Sequence, residues 1–84
     1  MIRDKLIQLT NGINYYILEE ITYNNKKYVL AAECDLEKET VNEDKYLVME
    51  IKLENNDLIT ADIEDDNEGA LITKMLLDKV RSSN

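Results

Sequence analysis

Residues 21–30 are Ile21-Thr22-Tyr23-Asn24-Asn25-Lys26-Lys27-Tyr28-Val29-Leu30. The centre of this stretch is a turn signal, because asparagine tolerates the left-handed backbone conformation that a two-residue type I′ turn requires. The flanking residues are largely β-branched, aromatic or aliphatic, as is typical of strands. The stretch therefore predicts a β-hairpin, and the rest of the fold is derived outward from it.

A two-residue loop in this hairpin sets Ile21 opposite Tyr28 and predicts strands over residues 13–23 and 27–33. The exception to the apolar pattern is Glu19, which would point to the apolar face. We expect either a short strand there or a bulge at Glu19-Glu20, which would reset the alternation of apolar and polar side chains.

The elements on either side follow from similar signals. A short first strand is expected at residues 5–9, ahead of the hairpin turn signal Asn11-Gly12. Residues 35–44 are polar and without periodicity, which predicts an acidic flexible loop. Residues 45–54 then alternate between apolar and polar side chains, which predicts a fourth strand with one buried face.

The turn after the fourth strand decides which residues of a fifth strand are buried. A two-residue loop would set Met49 opposite Asp62, whereas a three-residue loop at 55–57 sets it opposite Ile63 and gathers the apolar residues on one face. We therefore expect the three-residue loop.

A helix is expected at residues 68–81. Ile72, Leu76 and Val80 recur every four residues, and Asp65 with Glu68 resembles a capping box at the N-terminus. This helix should cover the apolar face of the sheet, with Ile51 packed beneath it. The residues expected to be buried are Leu47, Met49, Ile51, Leu53, Ile59, Ala61, Ile63, Leu76 and Val80.

These elements predict an α+β fold: a small antiparallel β-sheet of about five strands in a hairpin meander, packed by one C-terminal α-helix. The 84 residues form a single domain, residues 1–84, with the strands within 5–64.

Residues 21–30 also resemble the central hairpin of the YrzB-like family, domain of unknown function 1292, which consists of small acidic proteins of low-GC Gram-positive bacteria. The acidic segment, alternating strand and C-terminal helix that follow resemble that family too, over roughly residues 5–80. This chain differs at Asn25, where the family usually has glycine. The resemblance implies the fold and a bacterial cytoplasmic origin, and it implies no catalytic or binding residue.

Composition disfavours several function classes. The chain has no histidine and one cysteine, Cys34, so the commonest general base and transition-metal ligand is missing and no internal disulfide can form. The acidic run after residue 61 lacks the closing glutamate of a calcium-binding loop. We expect no enzyme activity, no catalytic residue, no cofactor and no metal. The sequence shows no signal peptide and no membrane span, so the cytoplasm is the expected compartment.

The net charge is −8, and residues 33–66 hold thirteen acids and three lysines, a net −10. Direct nucleic-acid binding would need the opposite sign. The candidate partner-binding residues form an acidic face on the fourth and fifth strands and the acidic loop: Glu37, Glu39, Glu43, Asp44, Glu50, Glu54, Asp62 and Glu64. The alternative interpretation of these charges is solubility alone.

Two functional hypotheses follow. The first is a non-enzymatic interaction module that binds a protein with a basic surface, through a sheet edge or the acidic face. The second is a nucleic-acid-mimicking inhibitor of phage or bacterial origin, of the anti-CRISPR or anti-restriction type, which would block a DNA- or RNA-binding protein. Salt separates them, since charge-driven mimicry should weaken at high salt while an apolar interface should persist.

Overall fold

The computed structural model of the chain describes residues 6–9 and 11–82. It contains one antiparallel sheet in which strands adjacent in sequence are adjacent in space, followed by one helix. The elements are β1 (Leu6–Gln8), β2 (Asn14–Tyr23), β3 (Lys26–Asp35), β4 (Thr40–Glu54), β5 (Asp57–Ala61) and α1 (Asp66–Ser82). The predicted α+β class, the meander and the single C-terminal helix are confirmed. Residue 5, in the predicted first strand, lies outside the described residues.

The β2–β3 hairpin and the β4–β5 hairpin each have two asparagines at the turn. The φ angles are 52° and 63° at Asn24 and Asn25, and 52° and 70° at Asn55 and Asn56. These left-handed values are those of a type I′ turn, whose twist matches that of the strands. They explain how asparagine is accommodated at position 25.

The three-residue loop predicted between β4 and β5 is wrong. Leu53 pairs with Leu58 and Ile51 with Thr60, which is the register of a two-residue loop. Backbone conformation at the paired asparagines outweighed the gain from putting every apolar side chain on one face. Ile59 and Ala61 therefore lie on the face opposite to the one occupied by Ile51, and both are exposed.

A bulge in β2 lies between Ile17 and Glu19, one residue before the expected position. Glu19 pairs with Leu30 and points to the apolar face, as predicted, and its side chain is fully buried. Its Oε1 lies 3.5 Å from the Nζ of Lys79 on α1. That same Nζ donates a 2.8 Å hydrogen bond to the backbone carbonyl of Glu20. The bulge thus places a carboxylate where the helix supplies a cation.

The acidic flexible loop predicted at 35–44 is also wrong. β3 continues to Asp35, a turn spans 36–39, and β4 begins at Thr40. The Oδ1 of Asp35 accepts hydrogen bonds from the backbone N–H groups of Glu37 and Lys38, which defines the turn. The register between β3 and β4 shifts after Ala32, so residues 43–45 form an irregular bulge. The bulge breaks the alternation of apolar and polar residues, so this alternation did not reveal that β4 begins at Thr40.

Apolar side chains lie on both faces of the sheet. On one face, Tyr28 and Leu30 pack against Ile72 and Leu76 of α1. On the other face, a second cluster is buried without the helix. Its buried members are Tyr15, Ile17, Val29, Ala31, Met49 and Ile51.

This two-faced core corrects the predicted one. Met49, Ile51 and Leu76 are buried as expected, but Ile51 lies on the face away from the helix and not beneath it. Ile63 and Val80 are half-buried against the helix cluster. The expected burial is wrong for four residues, which are exposed: Leu47, Leu53, Ile59 and Ala61. The reason is that β3 contributes a continuous apolar run to both faces, so alternation in β4 did not identify the side that the helix covers.

The helix begins at Asp66, two residues before the predicted start, because Asp65 is its N-cap. The Oδ1 of Asp65 accepts hydrogen bonds from the backbone N–H groups of Asn67, at 2.8 Å, and Glu68, at 3.1 Å. Only the Asp65 half of the predicted capping box forms, since the Glu68 side chain accepts a hydrogen bond from Tyr28 instead. Within the described ranges, no helix is long and apolar enough to cross a membrane.

Candidate functional site

Five carboxylates line a depression of about 330 Å³ where β4, the end of β5 and the start of α1 meet. They are Glu50, Asp62, Glu64, Asp65 and Glu68. The remaining lining includes Tyr28 and one cation, Lys26. We call this the acidic depression. Because it holds five acids and one base, its field is strongly negative when the carboxylates are ionised.

The position of Glu50 follows from strand register. It pairs with Tyr28 on β3 and with Ala61 on β5, so its side chain lies on the helix-covered face. Sequence reasoning placed it on the solvent side of β4, because its neighbours Met49 and Ile51 were expected beneath the helix. The correction brings Glu50 close to the N-terminal turn of α1, where Asp65 and Glu68 also lie.

Tyr28 and Glu68 connect the sheet to the helix at this site. The buried Tyr28 hydroxyl donates a 2.6 Å hydrogen bond to Oε1 of Glu68. This hydrogen bond, together with burial and the charges of Glu68 and Glu50, raises the pKa of Tyr28 to about 12. The phenol therefore remains a hydrogen-bond donor throughout the physiological range and holds the Glu68 carboxylate as its acceptor.

Glu50 has an unused acceptor. Its Oε1 is buried, and none of the described residues donates a hydrogen bond to it. A buried carboxylate oxygen without a donor costs free energy relative to one that is paired. A donor brought by a binding partner would remove that cost, so this oxygen favours a ligand rich in N–H groups.

The structure divides the predicted acidic face into separate regions. Glu50, Asp62 and Glu64 line the acidic depression, while Glu54 lies at the far end of β4 beside the Asn55-Asn56 turn. The other four residues are exposed on the 36–39 turn and the bulged start of β4. They are Glu37, Glu39, Glu43 and Asp44. Because a strand rises about 3.3 Å per residue, these four residues are on the order of 20 Å from the acidic depression along β4.

Sequence reasoning missed the roles of Tyr28, Lys26 and Glu68 in this site. Tyr28 was considered only as a strand residue opposite Ile21, and Glu68 only as half of a capping box. A buried tyrosine hydroxyl needs a hydrogen-bond partner, and this was the available signal. The identity of that partner, forty residues away in the chain, depends on how the helix packs.

Metal chemistry has no geometric support at the site. Across the residues that the structure describes, no group of three or more cysteine, aspartate or glutamate side chains is arranged to hold a metal ion. Asp65, part of the acidic run considered as a calcium loop, uses its Oδ1 to cap the helix. Cys34 is half-buried near the end of β3.

A family model described as a protein of unknown function (DUF1292) matches residues 11–78. The match covers the β2–β3 hairpin, all of β4 and β5, and most of the helix, so it includes every residue of the acidic depression. No curated protein and no solved structure matches the chain.

Proposed function

Because the chain belongs to the DUF1292 family of proteins of unknown function, we propose from its own geometry that it is a non-enzymatic, cytoplasmic module that binds a partner protein with a basic surface. The acidic depression is the proposed contact site. Its occupant would be an arginine or lysine side chain of the partner.

The observation that supports this proposal is the buried, donor-free Oε1 of Glu50 in a depression lined by four further carboxylates. A guanidinium group presents five N–H donors in a planar fork and so suits a site with several carboxylates better than an ammonium does. Asp62 and Glu64 are exposed at the rim and could contact such a group as it enters.

The overall charge of −8 supports the same proposal at longer range. The summed field accelerates encounter with a positively charged partner, whereas desolvated contacts in the depression determine how long the complex lasts. Salt should therefore slow association strongly, and substitutions inside the depression should mainly accelerate dissociation.

Two charge-matched variants test the site. E50Q/D62N/E64Q alters the acidic depression, and E37Q/E39Q/E43Q alters the distant turn and the start of β4; each changes the net charge from −8 to −5. A fluorescent hexaarginine peptide serves as the probe, with anisotropy measured at low and at moderate salt. We expect the first variant to weaken binding about tenfold or more and the second less than about threefold, since both lose the same long-range attraction. Thermal melts of both variants control for folding.

Equal losses in the two variants would overturn the depression as the contact site. That outcome would favour the nucleic-acid-mimic alternative, because a mimic needs charge spread over an extended surface and loses affinity wherever a carboxylate is removed. Unchanged binding in both variants would leave the acidity as a means of solubility alone.

A further inference from the structure

One cleft lies between the two ends of the sheet. Residues from β1 and from β4 and β5 together enclose a volume of about 690 Å³. Ile7 on one side and Leu58 on the other pack against the same buried cluster, so the sheet curls until its first and last strands approach each other. Among the described residues, these two strands are not hydrogen-bonded neighbours, so the curled sheet does not close.

Most of the side chains that line this cleft are apolar, and polar atoms are exposed between them. Met49, which is buried, lies in the cleft together with Ile7, Leu9 and Leu58. Leu47 projects from β4 into the same space with 41% of its surface exposed. An apolar wall next to an open sheet edge is a surface that an added strand could cover.

The backbone of β4 offers such an edge. β5 pairs with residues Glu50–Glu54 of β4, whereas β3 pairs with residues 40–42 and 46–51 of β4. Residues 46–49 are therefore bonded to a strand on one side only, within the part of the chain that the structure describes. Their outward N–H and C=O groups face the gap where a sixth strand would lie.

Charge determines which kind of strand fits. Ala61 and Asp62 line both the cleft and the acidic depression, so the two sites are contiguous. The segment 40–66, which forms this wall, contains nine acids and two lysines, a net charge of −7. A second copy of the chain, with its own charge of −8, would be repelled, whereas a basic segment would be attracted.

We propose that the cleft binds an extended basic segment of the partner protein as an added β-strand along residues 46–49. Alternate side chains of that segment are apolar and cover Leu47, Met49 and Leu58. A basic side chain at the end near Asp62 enters the acidic depression, and this last contact rests on the proposed function. Backbone pairing and apolar contact supply the affinity that charge alone would lose at high salt.

The test uses an acetylated octapeptide of alternating lysine and valine, titrated into the ¹⁵N-labelled chain. We expect saturable changes in amide chemical shift at residues 46–49 and 59–61. Three peptides are controls: one of the same composition with four lysines followed by four valines, one alternating glutamate and valine, and one N-methylated at every residue so that it cannot donate backbone hydrogen bonds. Each should bind at least about fivefold more weakly, because it lacks the pattern, the charge or the donors.

A matched pair of protein variants locates the contact. Leu47→Gln changes the cleft, and Leu71→Gln changes an exposed leucine of α1 with nearly the same exposure, 42%. The first variant should weaken peptide binding about fivefold or more, and the second should leave it unchanged. Equal affinity in both variants, or no saturable binding up to about 1 mM peptide, would overturn the proposal.

The remaining outcomes separate this inference from the proposed function. If hexaarginine binds and E50Q/D62N/E64Q weakens it, but no peptide shifts the amides of residues 46–49, the acidic depression stands and the added strand is refuted. If the alternating peptide shifts those amides with the same affinity in E50Q/D62N/E64Q, the added strand stands without its basic contact. Shifts at residues 46–49 that appear on concentrating the chain without peptide would show a second copy in the cleft, and would overturn the proposed occupant.

Discussion

The two faces of the sheet are buried in different ways. On the helix face, Tyr28 and Leu30 pack against Ile72 and Leu76, which a separate element brings to them. On the opposite face, the described residues that cover Val29, Ala31, Met49 and Ile51 come from the curl of the sheet itself and the ends of its outer strands. A face covered by a helix is closed, whereas a face covered by its own curvature stays open at one end. That opening is the cleft between β1 and β4–β5.

The largest expected effect separates these two faces. Leu76→Ala should lower the free energy of unfolding by about 2–5 kcal/mol, because a fully buried side chain on the closed face leaves a cavity. Ile51→Ala, on the open face, should cost about 2 kcal/mol, since the curled strands can relax into the vacated space. Urea melts of the two variants measure the difference.

Leu53→Ala is the control for that pair. It lies on the same face of the same strand as Ile51 but is 71% exposed, so its expected cost is under about 0.5 kcal/mol. If Ile51→Ala costs as much as Leu76→Ala, the open face is as rigidly packed as the closed one, and the comparison fails.

The next effect concerns Tyr28, where the closed face borders the acidic depression. Tyr28→Phe should lower stability at pH 7 by about 1–3 kcal/mol, because Glu68 loses a hydrogen bond to its charged carboxylate. Tyr46→Phe, at an exposed tyrosine of β4, should change little. Urea melts of both variants at pH 7 check this.

The same hydrogen bond predicts a pH dependence. The pKa of Tyr28 is about 12 in the folded chain, above the ordinary value of 10.0. The protonated phenol is thus favoured by folding, so its contribution is complete below pH 10 and is lost as the pH rises toward and through 12. The stability difference between wild type and Tyr28→Phe should shrink over that window. A constant difference from pH 8 to pH 11.5 would contradict the assigned hydrogen bond.

The smallest expected effect is a gain confined to the closed face. Gly69 lies in the first turns of α1, and a Cβ there would meet only Cγ2 of Ile63, at 3.7 Å, which is ordinary van der Waals contact. Gly69→Ala should therefore raise stability by about 0.5–1 kcal/mol through helix propensity. Thermal melts measure this gain, and a loss of stability would contradict the expected ordinary contact between the new Cβ and Ile63.

Local signals predicted the elements of this fold well. Asn24-Asn25 predicted the central hairpin with the correct register from the turn as far as the bulge in β2. The four-residue spacing of Ile72, Leu76 and Val80 predicted the helix, in which Leu76 is buried as expected and Val80 is half-buried. Asn55-Asn56 contained the same turn signal, but the prediction gave more weight to the apolar alternation in β4 and so chose the wrong register. The correct register was therefore available from backbone chemistry but not from hydrophobic patterning.

The sites depended on information that is not local. The acidic depression contains three of the predicted acidic residues, but it exists because β4 turns Glu50 toward the helix, and this depends on which face the helix covers. The cleft depends on the curl of the whole sheet, which summed strand twist produces and no short segment encodes. Leu47 and Leu53 alternate like core residues, and only the curl determines that they are exposed.

The meander order of the strands has a consequence for the sequence of folding events. Every strand pairs with its neighbour in the chain, so each pairing closes a short loop, and such topologies fold quickly for β-proteins. The chain contains no proline, so no proline isomerisation step delays it. We expect β2 and β3 to pair first and β1 and β5, each held on one side, to join last. In hydrogen exchange these two outer strands should open most often, so the edges of the cleft should be its least stable part.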